Sequence, residues 1–403
     1  MDNQIKNLRT QFVKIIDSSS DGTKFLVIAF LIIFIIIVLI ISYMFSILRL
    51  KDSQCDKLQI IYDNGKYNTI AFSSLNGALK NEAKQSKNPS NYFDNESHSL
   101  LKNYYIKTAY NCCCGDGYKN NFVNICALEH CIKLGARCLD FEIYSYYSEP
   151  IVAASTANHY SIKETFNFIQ MKNVFEKLNS IAFNSEYFGN DPLFLNFRIM
   201  SSNKIIYDKL AKYIEEYLNP NNNYLLDNTK YNYKLTNNRD LLLSNMISSN
   251  DLNKKFIIMV DTLQKNILNR SDLSKYVNLT SDKGLKIIRY ENILAAGENN
   301  PMLIDDSKRN LLMVLPNIDN KKINYDPLIC FGNGCQFVGM KFQNMDNNLI
   351  SYMKHFKEKG GFSFILKPSN LRKDKLLDEP EETGTDMPGS NLPQLGTLPS
   401  YVE

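Results

Sequence analysis

The residues best placed to do chemistry are two acids in the stretch G-A-R-C-L-D-F-E-I-Y at Gly135–Tyr144. Asp140 and Glu142 lie two apart, so in a strand both carboxylates point to one face, and Leu139, Phe141 and Ile143 point to the other. Two like charges on one side of a half-buried strand need a cation, a proton or water between them. Metal binding, general acid/base work and a fixed ion pair are therefore the three chemistries open to this stretch. Proton transfer at neutral pH would fall to histidine, and the chain has four: His98, His130, His159 and His355.

Other chemistries are excluded by what the sequence lacks. There is no Walker A loop, no dinucleotide-binding glycine fingerprint and no His-Glu-x-x-His helix. The 46 basic and 42 acidic residues leave a net charge of +4, too balanced to argue for nucleic acid as a partner. The nine cysteines (Cys55, Cys112–Cys114, Cys126, Cys131, Cys138, Cys330, Cys335) show no paired C-x-x-C zinc spacing. Buried free thiols are favoured over disulfides for them.

The elements that position these residues begin after a membrane anchor. Phe25–Leu48 is an uncharged apolar run that spans about 36 Å as a helix, enough to cross a bilayer with some tilt. The sequence thus predicts a single-pass membrane protein: a polar segment 1–24, a transmembrane helix 25–48 and a polar connector 49–96. Orientation stays open, because Lys6, Arg9, Lys14 and Lys24 precede the run and Arg49, Lys51, Lys57 and Lys66 follow it. Sequons at Asn95, Asn269 and Asn278 would suit a lumenal domain, although an Asn-rich chain produces such matches by chance.

From about residue 97, strand-like and helix-like segments alternate. Strands are expected at Tyr105–Asn111, Cys138–Tyr144, Pro150–Ser155, Pro192–Arg198, Lys255–Asp261, Gln336–Gln343 and Gly361–Leu366. Helices are expected at Val123–Leu134, Ile162–Phe183 and Lys204–Leu218. This alternation predicts an α/β fold with a parallel sheet, either a closed barrel or an open doubly wound sheet. A polar insertion at 219–253 interrupts it. The tail 374–403, rich in Pro, Glu and Gly, reads as disordered, with L-P-S-Y near its end as a possible docking motif.

The stretch G-A-R-C-L-D-F-E resembles the G-x-R-x-(E/D)-x-(D/E) strand in the X region of the phosphoinositide-specific phospholipases C. Y-Y-I-K-T-A-Y-N at Tyr104–Asn111 is similar to that family's first strand, which ends in S-H-N, and S-E-P-I-V and P-L-F-L-N-F are similar to the strands that follow. Downstream, N-Y-D-P, G-C-Q-F-V-G-M-K-F-Q and G-F-S-F-I-L-K-P-S-N-L-R resemble the Y region that closes the barrel. The resemblance implies a split (β/α)8 TIM-type barrel over 97–373, X-like at 97–264 and Y-like at 310–373.

It also implies a reaction in which the substrate's own inositol hydroxyl attacks the phosphodiester. Two histidines handle protons and charge, and Ca²⁺ is held by carboxylates and an Asn. This chain departs from that pattern position by position. The first histidine position is Tyr110, a phenol with a pKa of about 10, and Asn111 keeps the adjoining Asn. The second falls at Ala154 counted from Pro150, or near Thr156 counted back from Phe166; neither shuttles a proton. His159 is the alternative base.

Asp140 and Glu142 keep two acidic positions with their types exchanged, and the third is Arg198, a permanent cation where Ca²⁺ would sit. Met259 and Asp261 stand where the family has lysines, and Met313 where it has an arginine. The resulting expectation is a barrel without catalysis, cofactor or metal, displayed on a membrane for a structural or interaction role, with Arg198 bridging Asp140 and Glu142. Its expected partners are the bilayer, through 25–48, and other proteins. One alternative is an active phosphoric diester hydrolase rebuilt around His159, Asp140 and Glu142, in which case Ca²⁺ would be its cofactor. Another is lipid or inositol-phosphate binding without turnover. The minimal barrel and a composition rich in Asn, Lys, Ile and Tyr without Trp, typical of AT-rich genomes, suit a large DNA virus, with the chain in a virion or host membrane.

Overall fold

The computed structural model describes residues 10, 21–63, 100–157, 162–183, 191–220, 224–235, 250–359 and 362–373. His159, Asn95, 236–249 of the polar insertion and the tail 374–403 lie outside them. In chain order, the first half contains α1 (Asp21–Asp63), β1 (Tyr104–Ala109), α2 (Ile125–Lys133), β2 (Cys138–Tyr146), β3 (Glu149–Val152), β4 (Ile169–Gln170), α3 (Met171–Ile181), β5 (Leu193–Ile199), α4 (Lys204–Tyr213) and β6 (Phe256–Asp261). The second half contains α5 (Lys265–Arg270), β7 (Leu279–Thr280), β8 (Leu285–Arg289), α6 (Tyr290–Ala296), α7 (Pro301–Arg309), β9 (Leu311–Leu315), α8 (Leu328–Gly332), β10 (Phe337–Met340), α9 (Asn347–Glu358) and β11 (Phe364–Leu366).

Eight parallel strands pair in the order β7-β6-β5-β2-β1-β10-β9-β8, and the ring all but closes where Thr280 bridges Gly284 between β7 and β8. This is the α/β barrel the sequence predicts. β3 runs antiparallel to β2, and β11 antiparallel to β1. Strands such as L-F-L-N-F-R-I in β5 and L-L-M-V-L in β9 are buried throughout, as strands covered on both faces must be. Inside the ring, Phe194 of β5 packs on Phe337 of β10, with ring centres 5.3 Å apart. On its outer face, Phe197 meets Phe141 at 6.0 Å and Phe175 of α3 at 6.1 Å. The alternation leaves residues 140, 142, 196 and 198 facing inward at the carboxyl ends of the strands, the mouth of the barrel.

Several elements differ from the sequence expectation. The helix foreseen at Ile162–Phe183 begins only at Met171, because Asn167 instead fastens this stretch to Val123: its Oδ1 accepts from Val123 N at 2.9 Å and its Nδ2 donates to Val123 O at 2.8 Å. β7, β8 and β9 escaped the periodicity, β7 being two residues long and β8 (L-K-I-I-R) only half-buried. α1, long and apolar enough to cross a membrane, runs on through the first part of the connector to Asp63. Seven cysteines are free and buried, as favoured, but Cys55 and Cys126 form a disulfide with a Cα–Cα distance of 5.8 Å. The sequon residue Asn278 is buried, its side chain donating to Tyr231 O and accepting from Ile258 N, so it presents no glycan acceptor.

Candidate functional site at the barrel mouth

Register between β2 and β5 builds the site. Asp140 lies beside Asn196 and Glu142 beside Arg198, so D-F-E and N-F-R form a four-residue block facing the barrel axis. Asp140 Oδ1 accepts from Asn196 Nδ2 at 2.8 Å and from Arg198 Nε at 3.0 Å. Its Oδ2 accepts from the Asn111 backbone N–H at 3.1 Å. That amide is aimed by a left-handed turn at Asn111 (φ 43°), a conformation Asn tolerates better than most residues. Glu142 Oε2 accepts from Asn111 Nδ2 at 3.1 Å, and Glu142 Oε1 accepts from the Tyr144 hydroxyl.

Arg198 is the centre of this arrangement. Its Nη2 lies 2.7 Å from Asn111 Oδ1, 3.0 Å from Asp140 Oδ2 and 3.1 Å from Glu142 Oε2. The Tyr110 ring lies over the guanidinium, with Cζ 5.0 Å from its centre, and Tyr118 meets Tyr110 edge-on. Burial opposes a charge here, but Asp140, Tyr110 and Glu142 more than offset it and hold Arg198 well above its ordinary pKa. The Tyr110 phenol is pushed up, chiefly by burial, so it stays neutral. Asp140, Glu142 and Arg198 are each at most 3% exposed.

Of the remaining family positions, Asp261 alone carries an ionisable side chain. Ala154, just beyond β3, is buried and its carbonyl accepts from Glu164 N at 2.9 Å; Thr156 donates from its backbone and hydroxyl to the Glu164 carboxylate. Met259 lies beside Asn196, and Asp261 beside Arg198, where it accepts from Ser281 Oγ at 3.0 Å. Burial raises the Asp261 carboxyl, with Ser281 and Arg198 pulling it back. Met313 is buried beside Phe337. His130 in α2 is buried, burial lowering it to about 4, and His355 in α9 stacks on Phe331 at 4.3 Å. The sequence reading missed Asn196 and Tyr144. Their signal was the same two-residue spacing: Asn196 precedes Arg198 as Asp140 precedes Glu142, and Tyr144 is the next inward residue of β2.

The residues present do not fit Ca²⁺. A divalent ion here would use Asn111 Oδ1, Asp140 Oδ2 and Glu142 Oε2, the three oxygens that already converge on Arg198 Nη2. A hard cation would have to displace a guanidinium that is covalently part of β5.

A nearly closed parallel barrel with inward acids at its carboxyl ends defines the class: the chain has the fold of the phospholipase C-like phosphodiesterase barrels. Among particular proteins, it is 35% identical over 78 residues to phosphoinositide phospholipase C 7 of Arabidopsis thaliana, a match covering 19% of this chain and 13% of the plant enzyme. The crystal structure of PLC21 from L. pealei superposes with a TM-score of 0.53 at 19% identity, covering 68% of this chain and 38% of that protein. PLC21 from S. officinalis gives a TM-score of 0.53 at 18% identity, over 70% of this chain and 38% of its own. The chain therefore spans well under half the length of these proteins. No family model matches it.

Proposed function

We propose that this protein is a membrane-anchored phospholipase C-like barrel that no longer cleaves phosphodiesters and serves a structural or interaction role. The observation that carries this reading is Arg198, whose guanidinium fills the space between Asp140, Glu142 and Asn111 that the family's reaction needs for an exchangeable cation. Tyr110 and Ala154 support it, since neither moves a proton at neutral pH. A shared fold carries no activity with it once the site residues have changed. α1 supplies the anchor in this reading, its apolar run standing exposed to the surroundings.

The test is hydrolysis of phosphatidylinositol and its phosphates by the purified full chain, with Ca²⁺ and with a chelator. The expected result is no release of inositol phosphates under either condition. Turnover that survives purification and disappears in an Asp140→Asn, Glu142→Gln variant would establish the hydrolase alternative.

A further inference from the structure

The nine cysteines divide by exposure. Cys112, Cys113, Cys114, Cys131, Cys138, Cys330 and Cys335 are free and buried, whereas the two half-buried ones, Cys55 and Cys126, are bonded to each other. Accessible thiols are the ones that oxidise, and a structural disulfide persists where the compartment does not reduce it. This one is seated in two helices. α1 runs past its apolar stretch and lies along α2, with Cys55 bonded to Cys126 in the first turn of α2 and the Lys133 ammonium of the last turn 5.5 Å from the Tyr62 ring centre. Each partner in the second pair follows its counterpart in the first by seven residues, so the two helices run in the same direction. The buried Gln54 adds a hydrogen bond to Asn121 in the β1–α2 loop.

The bond bears on which side of a membrane the barrel occupies. Cys55 follows Leu48, the end of the apolar run, by seven residues, and Cys126 belongs to the barrel. Both sulfurs therefore lie on one side of any membrane that α1 crosses, together with the barrel. The basic residues flanking the run leave the direction of crossing open. The disulfide does not, because it calls for the oxidising side, a lumen or the cell exterior.

On that side a sequon becomes usable, and the two described ones differ. Asn278 is closed, its Nδ2 donating to Tyr231 O at 3.0 Å and to Asn228 Oδ1 at 3.3 Å. Asn269, which opens N-R-S, is exposed in the last turn of α5. Its Oδ1 accepts from the Tyr233 hydroxyl at 2.7 Å, and no described residue bonds its Nδ2, the atom to which a glycan attaches. The tripeptide straddles the helix end, with Ser271 already in an extended conformation (φ -101°, ψ 160°). It thus sits where the chain leaves regular structure at the surface, as acceptor sequons do.

Resting on the reading of α1 as a membrane span, we propose that the barrel stands on the oxidising side of that membrane, with residues 1–24 in the cytosol, and carries an N-linked glycan at Asn269. The transfer forms a bond between Asn269 Nδ2 and C1 of an oligosaccharide supplied on a lipid pyrophosphate. The C1–O bond to the pyrophosphate breaks, and the displaced amide proton leaves with that lipid pyrophosphate. Inositol lipids belong to the cytoplasmic leaflet, so a barrel placed here faces the opposite one, in agreement with a site closed by Arg198.

The test expresses the full chain in a eukaryotic cell and takes its microsomes. The barrel is expected to survive added protease until detergent is present, and Cys55 and Cys126 to resist maleimide until reductant is present. Peptide-N-glycosidase should increase the chain's mobility, and Asn269→Gln, a change at an exposed position, should remove one glycan step. A barrel that is digested without detergent and alkylated without reductant, in a chain that resists alkaline extraction, overturns the placement while leaving the span intact. A protected barrel whose mobility Asn269→Gln does not change overturns the acceptor. Release of the chain by alkaline extraction overturns the span itself, and the placement with it.

Discussion

Replacing Arg198 with methionine keeps most of the side chain's volume and removes its charge. The variant loses the Nε–Asp140 bond and the three Nη2 contacts to Asn111, Asp140 and Glu142. Breaking a buried pair by removing one partner costs about 3–5 kcal/mol, because the remaining charge is left in low dielectric. At about 2–4 °C per kcal/mol for a domain of this size, the midpoint should fall by about 6–20 °C. The chain has no tryptophan, so thermal unfolding followed by far-ultraviolet circular dichroism is the assay. Without the guanidinium, the folded-state pKa of at least one carboxyl should rise above its unfolded value near 4. Such a group binds more protons folded than unfolded between those two values, so the variant should lose stability as pH rises through this window and regain it on acidification.

Two companion variants separate charge from packing. Adding Asp140→Asn and Glu142→Gln to Arg198→Met should restore most of the midpoint, since a buried ionic cluster replaced by neutral groups of similar volume costs little. Arg198→Glu instead gathers three carboxylates around Asn111 and should be stabilised by Ca²⁺ where the parent is not. The reasoning is refuted if Arg198→Met melts within about 2 °C of the parent, a shift below 1 kcal/mol, or if its deficit is the same at acid and neutral pH.

Two further outcomes follow from the fold. The Cys55–Cys126 disulfide closes a chain separation of 71 residues; the loop-entropy model puts its contribution at about 4 kcal/mol as an upper figure. Reductant should lower the midpoint of the parent but not of a Cys55→Ser, Cys126→Ser variant, and equal responses would count against the bond. Lys107 and Lys367 are fully buried, donating to Leu134 O and Ser307 O, and burial lowers each to about 7. With unfolded values of about 10.4, they bind fewer protons folded than unfolded above pH 7, so stability should climb with pH up to about 8.5, where ionisation of thiols in the unfolded chain begins to oppose it. Lys107→Met should flatten that climb; a flat or falling profile in the parent would contradict the assignment.

How much of this was legible in the sequence depended on the range over which each feature is encoded. β2 and β5 carry their fate locally, in apolar runs bounded by turns, and their inward positions follow from period two once the barrel is assumed. The meeting of Arg198 with Asp140 and Glu142 was foreseeable because one register fixes all four inward residues. Asn111 was legible as a residue, whereas its role as acceptor for Arg198 depends on a left-handed turn that no periodicity reveals. β7 and β8 were illegible because a two-residue strand and a half-buried one leave almost no pattern, whereas β9 is a five-residue apolar run, which periodicity alone does not separate from a buried helix segment.

The pairing of α1 with α2 was hidden for a different reason. It joins Cys55 to Cys126 and Gln54 to Asn121 across most of the connector, and each of these residues looks ordinary in its own window. Only their equal spacing along two helices gives a direction.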